Sequence, residues 1–357
     1  MFKFLITTFI FVNIYGFNVN HQIKPGADFE TMSLGNSCST FVGDKFTLSC
    51  NPASFPYYQS EGISLSLLGK ADGDSIDNGR DLIFDPITED LIRRLFEQKS
   101  FNSFTFDGSI KFNTSMFELT YTPYYLIGDL YIFNPAFPEI SINLLNRETL
   151  RLTSGDEISQ NKWGAKSISI GYSFFYYSHS YATNTFSLFD LSSKDAEELI
   201  AFKDDTGFDG KLSLLYLSNI SFIPNISLQV HNFLDSAKFE KPNTDITQES
   251  ILLFERYTTI GLGKSFQTTY GELELNFELF FSNFLDEFYS KYATLGMRYN
   301  LNLFSVNLAG SINYQNIGFL FRSENFNVGI SYAREKDAPI IQSDYDNSTY
   351  IQMEVSL

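Results

Sequence analysis

The sequence predicts an all-β fold: an antiparallel transmembrane β-barrel of about 14 strands, within a range of about 12–16. Three observations predict it. Apolar and polar residues alternate with a period of two along much of the chain. Aromatic residues make up 17% of the chain, with 38 Phe and 21 Tyr, although the mean hydropathy is only −0.10. Long and short connections between candidate strands follow one another in turn.

The composition excludes two other classes of protein. A polytopic helical membrane protein would contain repeated runs of about 20 apolar residues and a much higher mean hydropathy. A closed sheet faces lipid with only every second residue, so its mean hydropathy stays near neutral. The chain has 42 acidic and 25 basic residues, a formal net charge of −17. Because phosphate binding needs clustered Lys and Arg, we expect no nucleic-acid partner.

Residues 1–16 are predicted to be a secretory signal peptide. Lys3 supplies a positive charge, the next nine residues are mostly apolar, and Gly16 is a small residue suited to cleavage. An N-terminal transmembrane anchor is the alternative, but the apolar run is short and Asn13 interrupts it. Export would bring Cys38 and Cys50 into an oxidising compartment, where a disulfide across this short loop is expected. Two free buried thiols are the alternative.

The alternation is clearest in residues 273–281, where apolar side chains interleave with Glu and Asn. Further candidate strands include residues 63–67, 104–112, 117–121, 168–176, 226–230, 293–301, 304–312, 326–332 and 350–357. Their apolar positions carry almost no charge, and their polar positions are mainly Ser, Thr, Asn and Gly. A soluble sandwich could show the same alternation, but strands of about 8–12 residues are long enough to cross a membrane at a tilt.

The connections favour a barrel over a sandwich. Long connections are predicted at 70–103, 146–163, 191–208, 234–252, 283–290 and 335–348, and short ones near 113–115 and 323–325. A barrel sorts its connections in this way, with short turns at one end and longer loops at the other. The count comes to about 16 strands, or 14 if weak hairpins at 123–126 and 315–316 are not turns. The chain also ends inside a strand, although on Leu357 rather than on an aromatic residue.

Two of the long loops are predicted to contain amphipathic helices. Asp85 and Pro86 suit a helix start, and Ser192 or Ser193 suits another. Their apolar faces consist of Ile87, Leu91, Leu95 and Phe96 in the first loop, and of Leu199 and Ile200 in the second. These faces are candidates for ligand binding at the lumen mouth, and packing on the barrel rim is the alternative.

The polar face of each strand is expected to line the lumen. The candidate lumen-lining charged residues are Lys111, Glu118, His231, Glu272, Glu274, Glu278, Arg298 and Glu354. A ring of acids would favour cations. Solvated residues balanced by nearby bases are the alternative.

Catalysis is not predicted. His21 lies near the mature N-terminus, His179 is placed in a short turn at 178–180, and His231 is on the lumen-facing register. Nothing brings a nucleophile, a base and an orienting group together. No metal-ligand spacing or cofactor-binding motif is present, so we expect no enzyme activity, no metal and no cofactor.

The segment before the first strand, residues 33–53, reads SLGNSCSTFVGDKFTLSCNPA. Its small-residue stretch, Asp44 and the sequence Asn51-Pro52-Ala53 resemble the start of the FadL/TraF/PorV-like outer-membrane β-barrels. This chain is poorer in Gly and Ala than the usual pattern and adds two cysteines. The resemblance implies a barrel over 61–357 and an N-terminal plug segment over 17–60, which a Cys38–Cys50 bridge would staple. Pro52 restricts the backbone, so the motif is expected to be structural.

The resemblance implies an outer-membrane barrel of a Gram-negative bacterium that transports a hydrophobic or amphipathic small molecule. Two alternatives remain: a PorV-like non-transporting scaffold that recognises a protein partner, and a general diffusion porin. The expected partners are outer-membrane lipid, with a hydrophobic small molecule or a protein in addition.

Overall fold

The computed structural model describes residues 29–44, 46–58, 61–72, 101–133, 139–160, 165–187, 202–234, 256–282, 292–311, 314–323, 325–336 and 345–356. Fourteen strands form one closed barrel. The strands are β1 (Gly62–Asp72), β2 (Phe101–Asn113), β3 (Glu118–Phe133), β4 (Glu139–Gln160), β5 (Ala165–Ser187), β6 (Lys203–Ser218), β7 (Asn225–His231), β8 (Tyr257–Gln267), β9 (Glu272–Ser282), β10 (Tyr292–Leu301), β11 (Phe304–Gly310), β12 (Tyr314–Arg322), β13 (Phe326–Lys336) and β14 (Tyr345–Ser356). Before them come helices α1 (Phe29–Ser33) and α2 (Thr47–Cys50) and a 3-10 helix (Pro52–Tyr57).

Each strand pairs antiparallel with its neighbours in sequence, and β1 pairs with β14 to close the sheet, with Leu65 opposite Val355. Closure leaves no free sheet edge, which a barrel in lipid requires because unpaired backbone groups cannot be hydrated there. The predicted fold class is confirmed.

The exterior of the barrel is apolar and the interior is polar. On β1, Ile63, Leu65 and Leu67 are 43%, 44% and 53% exposed, whereas Ser64 and Ser66 are 1% and 3% exposed. The same inversion recurs on the other strands, with Phe, Leu, Ile and Tyr outside and Ser, Thr and Asn inside. A protein in water would place these side chains the other way round. The exposed stripe is therefore the lipid-facing surface of the barrel.

No helix within the described ranges has the length and the apolar content to cross a lipid bilayer.

The weak hairpin predicted at 123–126 is not a turn, because these residues lie inside β3. The hairpin predicted at 315–316 exists a few residues earlier, since β11 and β12 pair antiparallel and are joined by 311–313. The ladder around Pro123 is irregular on both sides of β3, since the register shifts between Gly108 and Ile110 on one side and between Thr122 and Tyr125 on the other. Proline cannot donate to a ladder, so it forces a bulge here without ending the strand.

The predicted long connection at 146–163 is wrong. Strand β4 continues to Gln160 and pairs with β5 along its length, from Glu139 opposite Ser187 onwards. The turn predicted around His179 is also wrong, because His179 lies within β5 opposite Arg147. Backbone hydrogen bonds continue both strands through stretches where polar residues interrupt the alternation of apolar and polar side chains. The connections at the end of the barrel opposite the start of β1 are the longer ones, as predicted. Two of them, 134–138 and 311–313, are short exceptions.

Candidate functional site

The described residues from Phe29 to Tyr58, called the plug below, lie inside the barrel. The hydroxyl of Ser37 donates to the backbone oxygens of Asn276 on β9 and Thr294 on β10, both at 3.1 Å. The Thr40 hydroxyl donates to the side-chain oxygen of Asn276 at 2.7 Å. Nearer the start of the plug, the Asn307 amide donates to the Ser33 hydroxyl at 2.7 Å. These partners belong to inward faces of separate strands, so the plug follows the inner wall.

Glycines on the wall make room for the plug. A Cβ at Gly171 on β5 would overlap the backbone of Pro52, and one at Gly296 on β10 would overlap the backbone oxygen of Ser37. Because the plug backbone itself occupies the space, a side chain at either position would have to displace it. A Cβ at Gly329 on β13 would come within 2.6 Å of the Phe29 ring.

The Asn51-Pro52-Ala53 motif fastens the plug to the wall. Asn51 is fully buried; its amide nitrogen donates to Ser39 O at 2.6 Å and to the Ser227 hydroxyl at 3.1 Å. Its side-chain oxygen accepts the backbone N–H of Ala53 at 2.9 Å and so caps the 3-10 helix. The Ala53 oxygen accepts the Ser169 hydroxyl at 2.6 Å. These contacts join the motif to the rest of the plug and to two wall strands.

The end of the plug is also anchored. The Tyr57 hydroxyl lies 2.6 Å from the Ser167 hydroxyl on β5. Burial raises the pKa of the Tyr57 phenol, which therefore keeps its proton at neutral pH and can donate it. The Lys211 ammonium on β6 donates to the backbone oxygen of Cys50 at 2.5 Å.

Cys38 and Cys50 form a disulfide with a Cα–Cα distance of 5.7 Å. The bond closes a loop of the plug, residues 38–50, called the disulfide loop below. Leu34, Phe41 and Phe46 pack with the two cysteines in one buried cluster. The wall side chain Arg298 lies against this loop.

Arg298 is buried on β10, and its guanidinium contacts four residues of the plug and wall. Its Nε donates to Glu274 at 2.5 Å, and a second nitrogen also pairs with Glu274. Its Nη1 forms an ion pair with Asp44 of the disulfide loop at 2.6 Å. The guanidinium carbon lies 5.4 Å from the centre of the Phe41 ring and 4.4 Å from that of Phe46, within cation–π range.

A second arginine holds the start of the plug. Arg322, at the end of β12, forms an ion pair with Glu30 of α1 and lies 3.8 Å from Asp44. The backbone N–H of Phe29 donates to the Gln352 side chain on β14. Both acids of the plug therefore meet wall arginines.

The structure places every predicted lumen-lining residue on an inward register. Glu118 pairs with Arg151 at 3.3 Å, and Glu278 accepts the Asn276 amide at 3.0 Å. His231 stacks on Tyr257, with ring centres 4.1 Å apart. Lys111 and Glu354 are also buried, and Glu272 is half-buried at the start of β9. Glu118 and Glu274 are balanced by arginines rather than forming an unpaired acidic ring.

Sequence reasoning missed a group of aromatic side chains inside the barrel. Leu68, Tyr125, Tyr314 and Tyr350 are buried in one apolar cluster with Met32 of α1. This set, called the aromatic cluster below, lies further along β1 than Ser64 and Ser66. The continued inward register of β1 beyond Ser66 is a signal that could have revealed it.

Arg147 on β4 lies beside the aromatic cluster. Its guanidinium carbon is 5.8 Å from the Tyr125 ring centre and 5.9 Å from that of Tyr177, which stacks on His179. The misplaced turn at 178–180 hid this arrangement from the sequence.

The loop-helix positions Ile87, Leu91, Leu95, Phe96, Leu199 and Ile200 lie outside the described residues. Across the described part of the chain, no group of three or more His, Cys, Asp and Glu side chains is arranged to hold a metal ion.

The fold and its filled lumen define a class, the plugged 14-stranded barrel of FadL-like architecture. A solved Pseudomonas aeruginosa FadL homologue is similar over 96% of this chain and 99% of its own, with a TM-score of 0.50 and 11% identity. The P. putida toluene transporter TodX is similar over 92% of this chain and 98% of its own, with a TM-score of 0.49 and 11% identity. The FadL-like architecture is confirmed, and at this identity the likeness concerns the fold alone.

No protein-family model matches the sequence, and no curated protein matches it.

Proposed function

We propose that the protein is an outer-membrane channel of a Gram-negative bacterium that carries hydrophobic or amphipathic small molecules inward. Residues 1–16 would direct its export. The observation that carries the proposal is the aromatic cluster, a buried apolar set on the inner wall of the barrel that contacts the plug through Met32. A channel for polar solutes has no need of such a set, since apolar side chains stabilise apolar ligands by removing them from water.

The plug disfavours a general diffusion porin. A porin conducts through an open aqueous lumen, whereas this lumen holds a folded segment bound to wall residues on many strands. We therefore expect little steady ion current from the purified protein in planar bilayers. A large, constant current would favour the porin alternative.

A PorV-like scaffold is distinguished by its partner. It would co-purify with another protein in stoichiometric amount, and its deletion would leave the uptake of hydrophobic molecules unchanged. We expect the reverse, an uptake defect on deletion.

The direct test uses intact cells, because hydrophobic probes cross plain lipid vesicles without a carrier while lipopolysaccharide retards them. Uptake of a labelled medium-chain amphiphile and of a labelled aromatic hydrocarbon is compared between wild type, Leu68→Asn and Leu68→Met. Asn places an amide in the aromatic cluster, whereas Met keeps an apolar side chain of similar volume. We expect Leu68→Asn to lower uptake severalfold and Leu68→Met to preserve it.

Heat-modifiable migration on gels shows that each variant assembles, and membrane fractionation locates it. Equal uptake by two assembled variants would refute a role for the aromatic cluster.

A further inference from the structure

We infer that the Cys38–Cys50 disulfide and the wall residue Arg298 together hold the plug in the lumen. The disulfide fixes the shape of the disulfide loop, and the loop forms a binding site, called the cage below, for the Arg298 guanidinium. The disulfide and Arg298 are together called the lock. The inference rests on the proposed function only in taking the plug as the element that closes the lumen. It assigns the closed state to a particular loop and a particular wall side chain.

The ion pair and the two ring contacts that the plug makes with the Arg298 guanidinium come from inside the disulfide loop, and Glu30, outside the loop, adds a favourable charge interaction. Phe41 and Phe46 supply two aromatic faces, and Asp44 supplies a carboxylate at 2.6 Å. The wall residue Glu274, on the neighbouring strand, completes this set. The loop is thus a guanidinium-binding cage, and the chain's own Arg298 is its occupant.

The cage cannot be expected to hold its shape without the bond. Among the described residues of the loop, the only helix is α2, with 4 residues, and isolated helices of that length are unstable. Gly43, next to Asp44, has a φ of +95°, a conformation in which glycine is needed. A disulfide restricts such a loop by limiting the conformations open to it when it is undocked. Cutting the bond should therefore weaken the grip on Arg298 without touching Arg298 itself.

The wall half of the lock is preorganised. Arg298 keeps its pair with Glu274 whether or not the disulfide loop is docked, because Glu274 lies on β9 beside β10. Release of the loop therefore leaves no uncompensated charge in the wall, which would otherwise make release very costly. The lock can open while the barrel stays intact.

Burial protects the disulfide when the plug is docked. Cys38 is fully buried and Cys50 is 7% exposed, so an attacking thiolate reaches them only after the loop moves. A dithiol reductant would then attack one sulfur and release the other as a thiolate. Its second thiol would displace the mixed disulfide, giving two cysteine thiols and a cyclic oxidised reductant. We therefore expect the disulfide to form during folding and docking of the plug to shield it from reduction afterwards.

The test is a double-mutant cycle read out as ion current through the full-length protein in planar bilayers. The variants are Cys38→Ser with Cys50→Ser, Arg298→Lys, and all three changes together. Lysine keeps the charge but cannot stack flat on two rings or pair in two directions. We expect the cysteine pair and Arg298→Lys each to raise the mean current by up to about 30-fold, the factor for one desolvated cation–π contact. The combined variant should give no more current than the larger single effect.

The matched control is Arg151→Lys, which makes the same change at a wall-to-wall ion pair with Glu118. It should leave the current at the wild-type level. If the cysteine pair fails to assemble, Phe46→Leu tests the cage with the disulfide intact, since leucine keeps apolar bulk but removes the aromatic face. Additive effects, or wild-type currents from Arg298→Lys and Phe46→Leu, would overturn the lock. Uptake in cells is a separate readout, so the lock and the transport proposal can fail independently.

Discussion

Replacing Gly171 with alanine is expected to displace the plug while leaving the barrel assembled. The added Cβ would overlap the backbone of Pro52 and the backbone nitrogen of Ala53, which no rotamer change can relieve. Overpacking of this kind costs about 1–3 kcal/mol. The docked plug must therefore shift, and the two hydrogen bonds that join Ala53 to the wall residues Ser213 and Ser169 weaken with it.

A cost of about 1–3 kcal/mol borne by the docked state multiplies the undocked population by about 5–150. The assay is mean ion current per assembled barrel in planar bilayers. The control is Gly69→Ala on β1, because a Cβ at Gly69 would meet nothing within 4 Å. Alanine is no worse than glycine in a strand, so this control should conduct like wild type. Equal currents from the two variants would refute the packing of the plug against β5.

Two further substitutions test separate parts of the structure. Asn51→Ala removes the cap of the 3-10 helix and leaves Ser39 O without its amide donor. Plug docking should therefore weaken by about 1–3 kcal/mol, and the ion current should rise. An unchanged current would contradict the role of Asn51 in fastening the plug. Leu65→Arg puts a charge on the lipid face at a cost of about 2–4 kcal/mol near the bilayer centre. The folded fraction in urea titrations with lipid vesicles should fall, and unaltered stability would contradict a lipid contact there.

The barrel could be predicted from sequence because its pattern is local. In β9 the outward Leu273, Leu275 and Phe277 alternate with inward polar residues, and this alternation alone places the strand. The pattern failed where it was weak. The mainly polar stretch 146–160 concealed the second half of β4, and the serines beside His179 imitated a turn although the backbone pairing continues.

The docking of the plug could not be predicted in the same way. Arg298 was recognised as an inward residue, but its partners Phe41, Asp44 and Phe46 lie some 250 positions earlier in the chain. No local pattern in β10 or in the disulfide loop predicts the contact between them. Gly171 and Gly296 likewise gave no sequence signal, because the sequence does not show whether another segment of backbone packs against a glycine.

The central claim is that the apolar stripe of each strand contacts lipid while the polar stripe faces a lumen filled by the plug. Spin labels placed singly at positions 63–67 of the reconstituted protein measure this directly, through collision with oxygen dissolved in lipid and with a water-soluble nickel chelate. Oxygen accessibility should peak at Ile63, Leu65 and Leu67 and fall at Ser64 and Ser66. A flat profile, or one with its maxima at the two serines, would contradict the account.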